Sequence, residues 1–93
     1  MIAEEVIKAV AEHTSIDVED LLGRRRFVPI VRARVMACML LREGGMTRRA
    51  AQKVFMRDYT TIWHYENVHD ADLATNPDYK RTYETLRKKV LHT

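Results

Sequence analysis

The chain has 93 residues, of which 46% are hydrophobic and 31% are charged, with a formal net charge of +3. This composition excludes a disordered chain and predicts one small, helix-rich domain over residues 1–93. No apolar run approaches the ~18 residues that a membrane span needs. The acidic Glu4 and Glu5 argue against a signal peptide, and the single cysteine excludes an internal disulfide, so we expect a cytoplasmic protein.

The chain begins with two predicted helices. Apolar residues at three- and four-residue spacing predict a first helix from Ile2 to His13. A second, short helix is predicted from Ser15 to Gly23, with Asp17 as its N-cap. The basic segment that follows has no apolar periodicity and is predicted to be a connector.

The third predicted helix is the most apolar part of the chain. It begins at Pro29, which suits a first helical turn, and ends near Glu43. From Val35 to Leu41 it is apolar on every side, so we expect it to be buried nearly all round. Cys38 lies in this segment and is expected to be an inert core thiol.

Three further helices are predicted after Gly44-Gly45. Thr47 is a good N-cap for a fourth helix ending near Phe55, and Asp58 can cap a fifth after a tight turn. The inward stripe of the fifth helix is predicted to be Ile62, Tyr65, Val68 and Ala71. The sixth helix follows Asn76-Pro77, and its inward residues are predicted to be Tyr79, Tyr83, Leu86 and Val90.

Positive charge is concentrated in the middle of the chain. Residues 24–57 contain ten basic residues and one acidic residue, a net charge of +9, whereas the remainder carries six basic and twelve acidic residues, or −6. A basic block inside a nearly neutral protein indicates a polyanionic ligand. The fourth and fifth helices, joined by a tight turn, have the pattern of a helix-turn-helix, whose second helix lays its first residues on base edges.

Three segments of the sequence carry a family resemblance. They read VEDLLGRRR, VRARVMACMLLRE and RDYTTIWH, and they occur in this order over residues 18–64. In order and spacing they resemble the C-terminal DNA-binding domain of the bacterial replication initiator DnaA. The resemblance implies an all-α, six-helix, Trp-repressor-like fold that binds a short duplex element, the DnaA box.

The resemblance also implies which residues contact DNA. Arg26 aligns with an arginine that enters the minor groove, and Arg34 aligns with one that contacts phosphate near the start of the long helix. Asp58, Thr60 and Thr61 align with readers of the major groove. The full set of predicted DNA-binding residues is Arg24, Arg25, Arg26, Arg32, Arg34, Thr47, Arg48, Arg49, Arg57, Asp58, Tyr59, Thr60, Thr61 and His64.

The chain also departs from the family pattern. Tyr59 replaces the signature histidine, Tyr65 replaces a small residue, and Trp63 is bulkier than the usual aliphatic. The usual Gly-Gly of the turn appears as Met56 alone. No Walker lysine motif is present, so we expect either an excised domain or a free-standing relative of DnaA.

Other functions are less well supported by the sequence. The sequence contains neither a nucleophile–base pairing nor a glycine-rich phosphate loop, the motifs that would suggest catalysis. We therefore expect no enzyme activity, no cofactor and no metal site. The predicted partner is double-stranded DNA, bound by a monomer at the nucleoid. The alternatives are a protein-interaction module with an acidic partner, such as a replication protein, or a small dimeric repressor.

Overall fold

The structure, a computed structural model, describes residues 2–91 and confirms the predicted all-α fold. Within these residues the chain forms six helices and no strand. The helices are α1 (Ala3–Thr14), α2 (Val18–Leu22), α3 (Val28–Glu43), α4 (Arg48–Phe55), α5 (Tyr59–Thr75) and α6 (Pro77–Leu91). The order of the six elements agrees with the sequence-based prediction.

The second helix is shorter than predicted. It spans Val18–Leu22 instead of residues 15–23, because Ser15 adopts a left-handed conformation that ends α1 and leaves an extended link before α2. Asp17 occupies the N-cap position as predicted, but its side chain makes no capping hydrogen bond. Its backbone carbonyl instead accepts a hydrogen bond from the Leu21 N–H, at 2.9 Å.

The third helix is the centre of the fold, as its apolar sequence predicts. Every residue from Ala33 to Leu41 is buried, and α3 contacts each of the other helices. Cys38 lies within this core, and burial raises the pKa of its thiol to about 12. Because residues 33–41 of α3 are covered on all sides, the helix can hold α2, α4 and α5 in one arrangement around it.

The inward stripe of α5 was predicted only in part. Ile62 and Tyr65 are buried, but Val68 is half-buried and Ala71 is exposed. The stripe continues through His69, four residues after Tyr65, because the 3.6-residue period of the helix brings that position back to the core. The predicted stripe of α6 is confirmed, since its two tyrosines and Leu86 are buried and Val90 is half-buried.

A polar and aromatic cluster joins α5 to α6. The Nδ1 atom of His69 and the hydroxyl oxygen of Tyr79 are hydrogen-bonded at 2.6 Å. The rings of His69 and Tyr83 pack edge to face, with their centroids 4.4 Å apart. The Tyr83 hydroxyl also donates to Glu43, at the end of α3, at 3.0 Å. This cluster satisfies the polar groups that α6 brings into the interior.

The turn between α4 and α5 holds a residue in the left-handed region of φ/ψ space. Met56 has φ 51° and ψ 48°, and its side chain is 74% exposed. We expect Met56→Gly to raise the free energy of unfolding by about 1 kcal/mol, because glycine has no β-carbon to strain this conformation. Urea unfolding measures the change, and Met56→Ala, which keeps the β-carbon, is the control that should bring no gain. A glycine variant no more stable than the alanine variant would contradict this account.

His69 is expected to make stability depend on pH. Burial lowers the pKa of this imidazole below its usual value of 6.5, so the folded state favours the neutral ring. The unfolded chain takes up a proton near pH 6.5, and the free energy of unfolding should therefore fall as pH drops below that value. The slope is at most about 1.4 kcal/mol per pH unit for one proton.

Urea unfolding of the wild type and of His69→Gln at pH 7.5 and 5.5 measures this effect. The His69→Gln variant should lose part of the pH dependence, whereas His64→Gln, which changes an exposed ring of the same helix, should retain it. Equal pH dependence in the wild type and His69→Gln would show that His69 is not the group responsible.

Candidate nucleic-acid interface

Two side-chain caps shape the helix-turn-helix. Thr47 Oγ1 accepts a hydrogen bond from the Ala50 N–H at 3.1 Å, and Asp58 Oδ1 accepts from the Thr61 N–H at 2.8 Å. Both caps were predicted from the sequence and are confirmed. The Thr61 backbone N–H also lowers the pKa of Asp58, so this carboxylate is ionised at the start of α5.

The side of α5 that faces away from the core begins at this cap. The exposed residues of its first half, which we call the outer face of α5, are Tyr59, Thr60, Trp63, His64 and Asn67. Three of these were predicted DNA contacts, whereas Thr61, also a predicted contact, is half-buried. Trp63 and Asn67 were missed by the prediction. Helical spacing alone could have found them, because they lie three and seven residues after Thr60.

The second candidate surface is the basic loop, residues Arg24–Arg26, between α2 and α3. All three side chains are exposed, as expected of groups that meet a polyanion. Arg25 makes an ion pair with Asp20 at 3.5 Å, on the surface, where such pairs contribute little to stability. The loop has no helical or strand hydrogen bonding of its own, so other parts of the chain must hold its backbone.

Arg34 supplies most of that support. It was expected to contact phosphate, but its side chain is 3% exposed and points into the protein. Its Nε donates to the Leu21 carbonyl at 2.8 Å, and its Nη2 donates to the carbonyls of Asp20 and Arg25 at 3.0 and 3.2 Å. Arg34 therefore anchors the end of α2 and the basic loop to α3.

Arg57 connects the basic loop to the helix-turn-helix. Its Nη2 donates to the Gly23 carbonyl, directly before the loop, and its Nη1 donates to the Phe55 carbonyl at the end of α4, at 2.8 Å. Arg57 is also the residue directly before Asp58. One guanidinium thus brings the start of the basic loop beside the start of α5, although 34 residues separate Gly23 from Arg57 in sequence.

A third arginine lies between α4 and α5. Arg48 donates through Nε and Nη2 to the two carboxylate oxygens of Glu66, at 2.6 and 2.8 Å. Hydrogen bonds from Arg48 lower the pKa of Glu66, so the pair is ionic. The Arg48 guanidinium also lies over the ring of Tyr59, 5.9 Å from its centroid. Arg48 was predicted to contact DNA, and its main partners in the structure are within the protein.

The remaining predicted residues are exposed, but the structure does not bring all of them together. Thr47 and Arg49 lie at the start of α4, on the helix-turn-helix. Arg32 instead lines a cleft of about 440 Å³ formed by the end of α1 and the start of α6, together with His13 and Tyr79. No residue of α5 lines that cleft, so Arg32 lies apart from the outer face of α5.

Most of the chain matches one protein family. Residues 3–68 match the family described as bacterial dnaA protein helix-turn-helix, a range that contains α1 to α4 and the first half of α5. The chain belongs to this DnaA helix-turn-helix family. The matched range includes α4 and the start of α5, the pair with the helix-turn-helix pattern, and the match agrees with the all-α fold.

Curated relatives agree with the DnaA assignment. The chromosomal replication initiator protein DnaA of Citrifermentans bemidjiense is 31% identical over 91 residues, which cover 94% of this chain and 19% of that protein. The protein of the same name from Lacticaseibacillus casei is 29% identical over 85 residues, or 89% of this chain and 19% of that protein. The chain thus spans 19% of the length of these relatives.

Some other kinds of site have no counterpart in the described part of this DnaA-family chain. Between residues 2 and 91, no three His, Cys, Asp or Glu side chains come together as metal ligands would. Over the same range, no helix is both long and apolar enough to cross a membrane.

The anchoring role of Arg34 can be tested with Arg34→Lys. A lysine ammonium is a compact point charge and cannot reproduce the planar fork that reaches three carbonyls. We expect the free energy of unfolding to fall by about 2 kcal/mol, because buried carbonyls lose charged hydrogen-bond donors. We also expect trypsin to cleave faster after Arg24, Arg25 and Arg26.

Arg32→Lys is the matched control for this measurement. Arg32 lies two residues earlier on α3, is exposed, and makes no side-chain hydrogen bond among the described residues. It should unfold and be cleaved as the wild type is. Wild-type stability and wild-type cleavage of the basic loop in Arg34→Lys would rule out the anchoring role.

Proposed function

We propose that residues 1–93 form a sequence-specific DNA-binding domain of the DnaA-box type, linked to replication initiation or its regulation. The outer face of α5 enters the major groove, and the basic loop enters the neighbouring minor groove. The chain acts as a monomer at the nucleoid. The observation that carries this proposal is the Arg57–Gly23 hydrogen bond, because it brings the two candidate surfaces side by side.

The chemistry of the outer face and of Asp58, the N-cap before it, fits base reading. An ionised Asp58 accepts hydrogen bonds only, and cytosine N4 is a donor in the major groove. The methyl and hydroxyl groups of Thr60 suit a thymine edge, and Asn67 is a residue type that pairs with adenine. Each of these side chains is exposed. These residue types could distinguish base pairs that a purely cationic surface would bind equally.

The basic loop fits the other groove. Arginine side chains favour a narrow, electronegative minor groove, where the guanidinium replaces ordered counterions. Arg24 and Arg26 have no hydrogen-bond partner among residues 2–91, so no protein contact of theirs must be broken on binding. Arg49 lies at the start of α4 and is placed to neutralise a phosphate, which would fix the position of the domain without reading sequence.

The net charges of the two parts of the chain support the same orientation. The +9 segment, residues 24–57, contains the basic loop, α3 and α4, whereas the rest of the chain carries −6. A duplex would therefore be attracted to the exposed arginines of the basic loop and of α4 and repelled from acidic α1 and α2. The proposal accordingly predicts strong dependence of affinity on salt.

Fluorescence anisotropy with a labelled duplex tests this function. The domain is titrated against a duplex with a DnaA box and against a scrambled duplex of the same composition, at two salt concentrations. We expect at least about tenfold preference for the box, equivalent to 1.4 kcal/mol. Equal, salt-sensitive affinity for both duplexes would contradict box specificity, and absence of binding would favour a protein-interaction module.

Asp58 is expected to contribute to specificity in addition to capping α5. Asparagine is as good an N-cap as aspartate but carries a donor and no charge, so Asp58→Asn separates the two roles. We expect this variant to unfold as the wild type does and to lose most of its preference for one base pair of the box. A competition titration with duplexes changed at single base pairs measures the loss.

Arg49→Ala is the control for a contact that reads no base. It should weaken binding to the box and to the scrambled duplex alike and reduce the slope of log affinity against log salt by about one. If Asp58→Asn gave the same uniform loss, or none, the carboxylate would be a helix cap and not a reader of bases.

A further inference from the structure

The outer face of α5 contains a large aromatic side chain to which the proposed function assigns no contact. Trp63 is the only tryptophan of the chain, and it lies in the second turn of α5 with 52% of its surface exposed. Tyr59 lies one turn earlier, at four-residue spacing, and is equally exposed. Two neighbouring aromatic residues in water leave apolar surface that a bound partner can cover.

The position of Trp63 on the helix indicates which partner surface it meets. Thr60 precedes it by three residues and Asn67 follows it by four, so the three side chains lie on one strip of the outer face. The core residues Ile62 and Tyr65 lie on the opposite side. If α5 lies in the major groove, the indole faces base edges together with Thr60 and Asn67.

Tyr59 is held by other groups and does not compete for this position. The Arg48 guanidinium lies over its ring, and both oxygens of Glu66 bind that guanidinium. The hydrogen-bonded pair restrains Tyr59 at the edge of the outer face nearest α4. Trp63 is consequently the large apolar group nearest the middle of the strip.

The chemistry of indole selects one kind of base edge. Its body is apolar, and its single polar atom, Nε1–H, is a donor only. In the major groove thymine is the one base that presents a methyl group, and beside the methyl lies the O4 acceptor. Methylated cytosine also presents a methyl group, but the group beside it is an amino donor, which does not suit Nε1–H.

We propose that Trp63 is a specificity-determining residue that packs on the C5 methyl group of a thymine in the major groove. This inference rests on the proposed function, since it requires α5 in that groove. It adds to the contacts proposed for Asp58 and Thr60, and it uses a residue that replaces the family's usual aliphatic. Contact with the indole would bury the methyl group and much of the exposed indole.

The test begins with a preferred site chosen by selection from random duplexes, so that it does not assume the DnaA box. Each thymine of that site is then replaced by deoxyuridine, which lacks only the methyl group. For one thymine we expect wild-type affinity to fall about three- to fivefold, the value for burial of one methyl-sized group. The same replacement should leave the affinity of Trp63→Ala unchanged.

Two further variants make the comparison specific. His64→Ala, on the same outer face, should keep the wild-type sensitivity to that methyl group. Trp63→Phe, which retains an aromatic body, should keep part of it. Because Trp63 is the only tryptophan, acrylamide quenching of intrinsic fluorescence also reports its burial directly, and the selected duplex should protect it.

The outcomes separate this inference from the proposed function. Trp63 would not contact the methyl group if its removal cost Trp63→Ala as much affinity as the wild type, or if no thymine of the site were sensitive. In either case the selected site would still support sequence-specific binding by the domain. Equal binding to a duplex with 5-methylcytosine opposite guanine at that position would overturn the assignment to thymine. Failure to select any site would remove the proposed function and this inference together.

Discussion

Two buried or half-buried arginines hold the basic loop against the helix-turn-helix. Arg34 reaches from α3 to three backbone carbonyls at the end of α2 and in the loop, and Arg57 reaches from the turn before α5 to Gly23. Neither arginine has a carboxylate hydrogen-bond partner among residues 2–91, so their charges are balanced by carbonyl dipoles. A protein that uses charged side chains in this way keeps a loop without secondary structure in one position relative to a helix. That position is the basis for the proposed contact with two grooves.

The rest of the fold supports these contacts. Burial on all sides of α3 fixes the point from which Arg34 extends, and the caps at Thr47 and Asp58 fix where α4 and α5 begin. Glu66 then ties α4 to α5 through Arg48. Each interaction removes freedom from a group that a duplex would meet, and binding therefore costs less ordering of the protein.

Local patterns made most of the fold predictable from the sequence. The caps at Thr47 and Asp58 depend on residues within one turn, and the burial of α3 depends on its own apolar run, so both predictions were confirmed. The identity of the fold and its family followed from short motifs in order. The sequence predicted Val68 in the inward stripe of α5, whereas His69 is the buried residue. His69 was missed because histidine counts as polar, although its aromatic partners on α6 make its burial favourable.

The roles of the arginines could not be predicted in the same way. Arginine is a residue type that commonly contacts phosphate, and nothing in the sequence sets Arg34 and Arg57 apart from the other arginines. Only the carbonyls that the fold brings near them reveal that they act inside the protein. Arg48 is a similar case, because Glu66 lies 18 residues away. The sequence located the basic surface, but it could not separate the exposed arginines from those that bind backbone carbonyls inside the protein.

The most direct test of this account is an NMR titration of the ¹⁵N-labelled domain with a DnaA-box duplex. If the two arginines hold the loop and α5 as one surface, the amides of residues 23–27 and 59–67 should shift together, with one apparent affinity. The amides of α1 and of the second half of α6 should shift little. Shifts in only one of the two segments, or shifts centred on α1 and α6, would contradict the account.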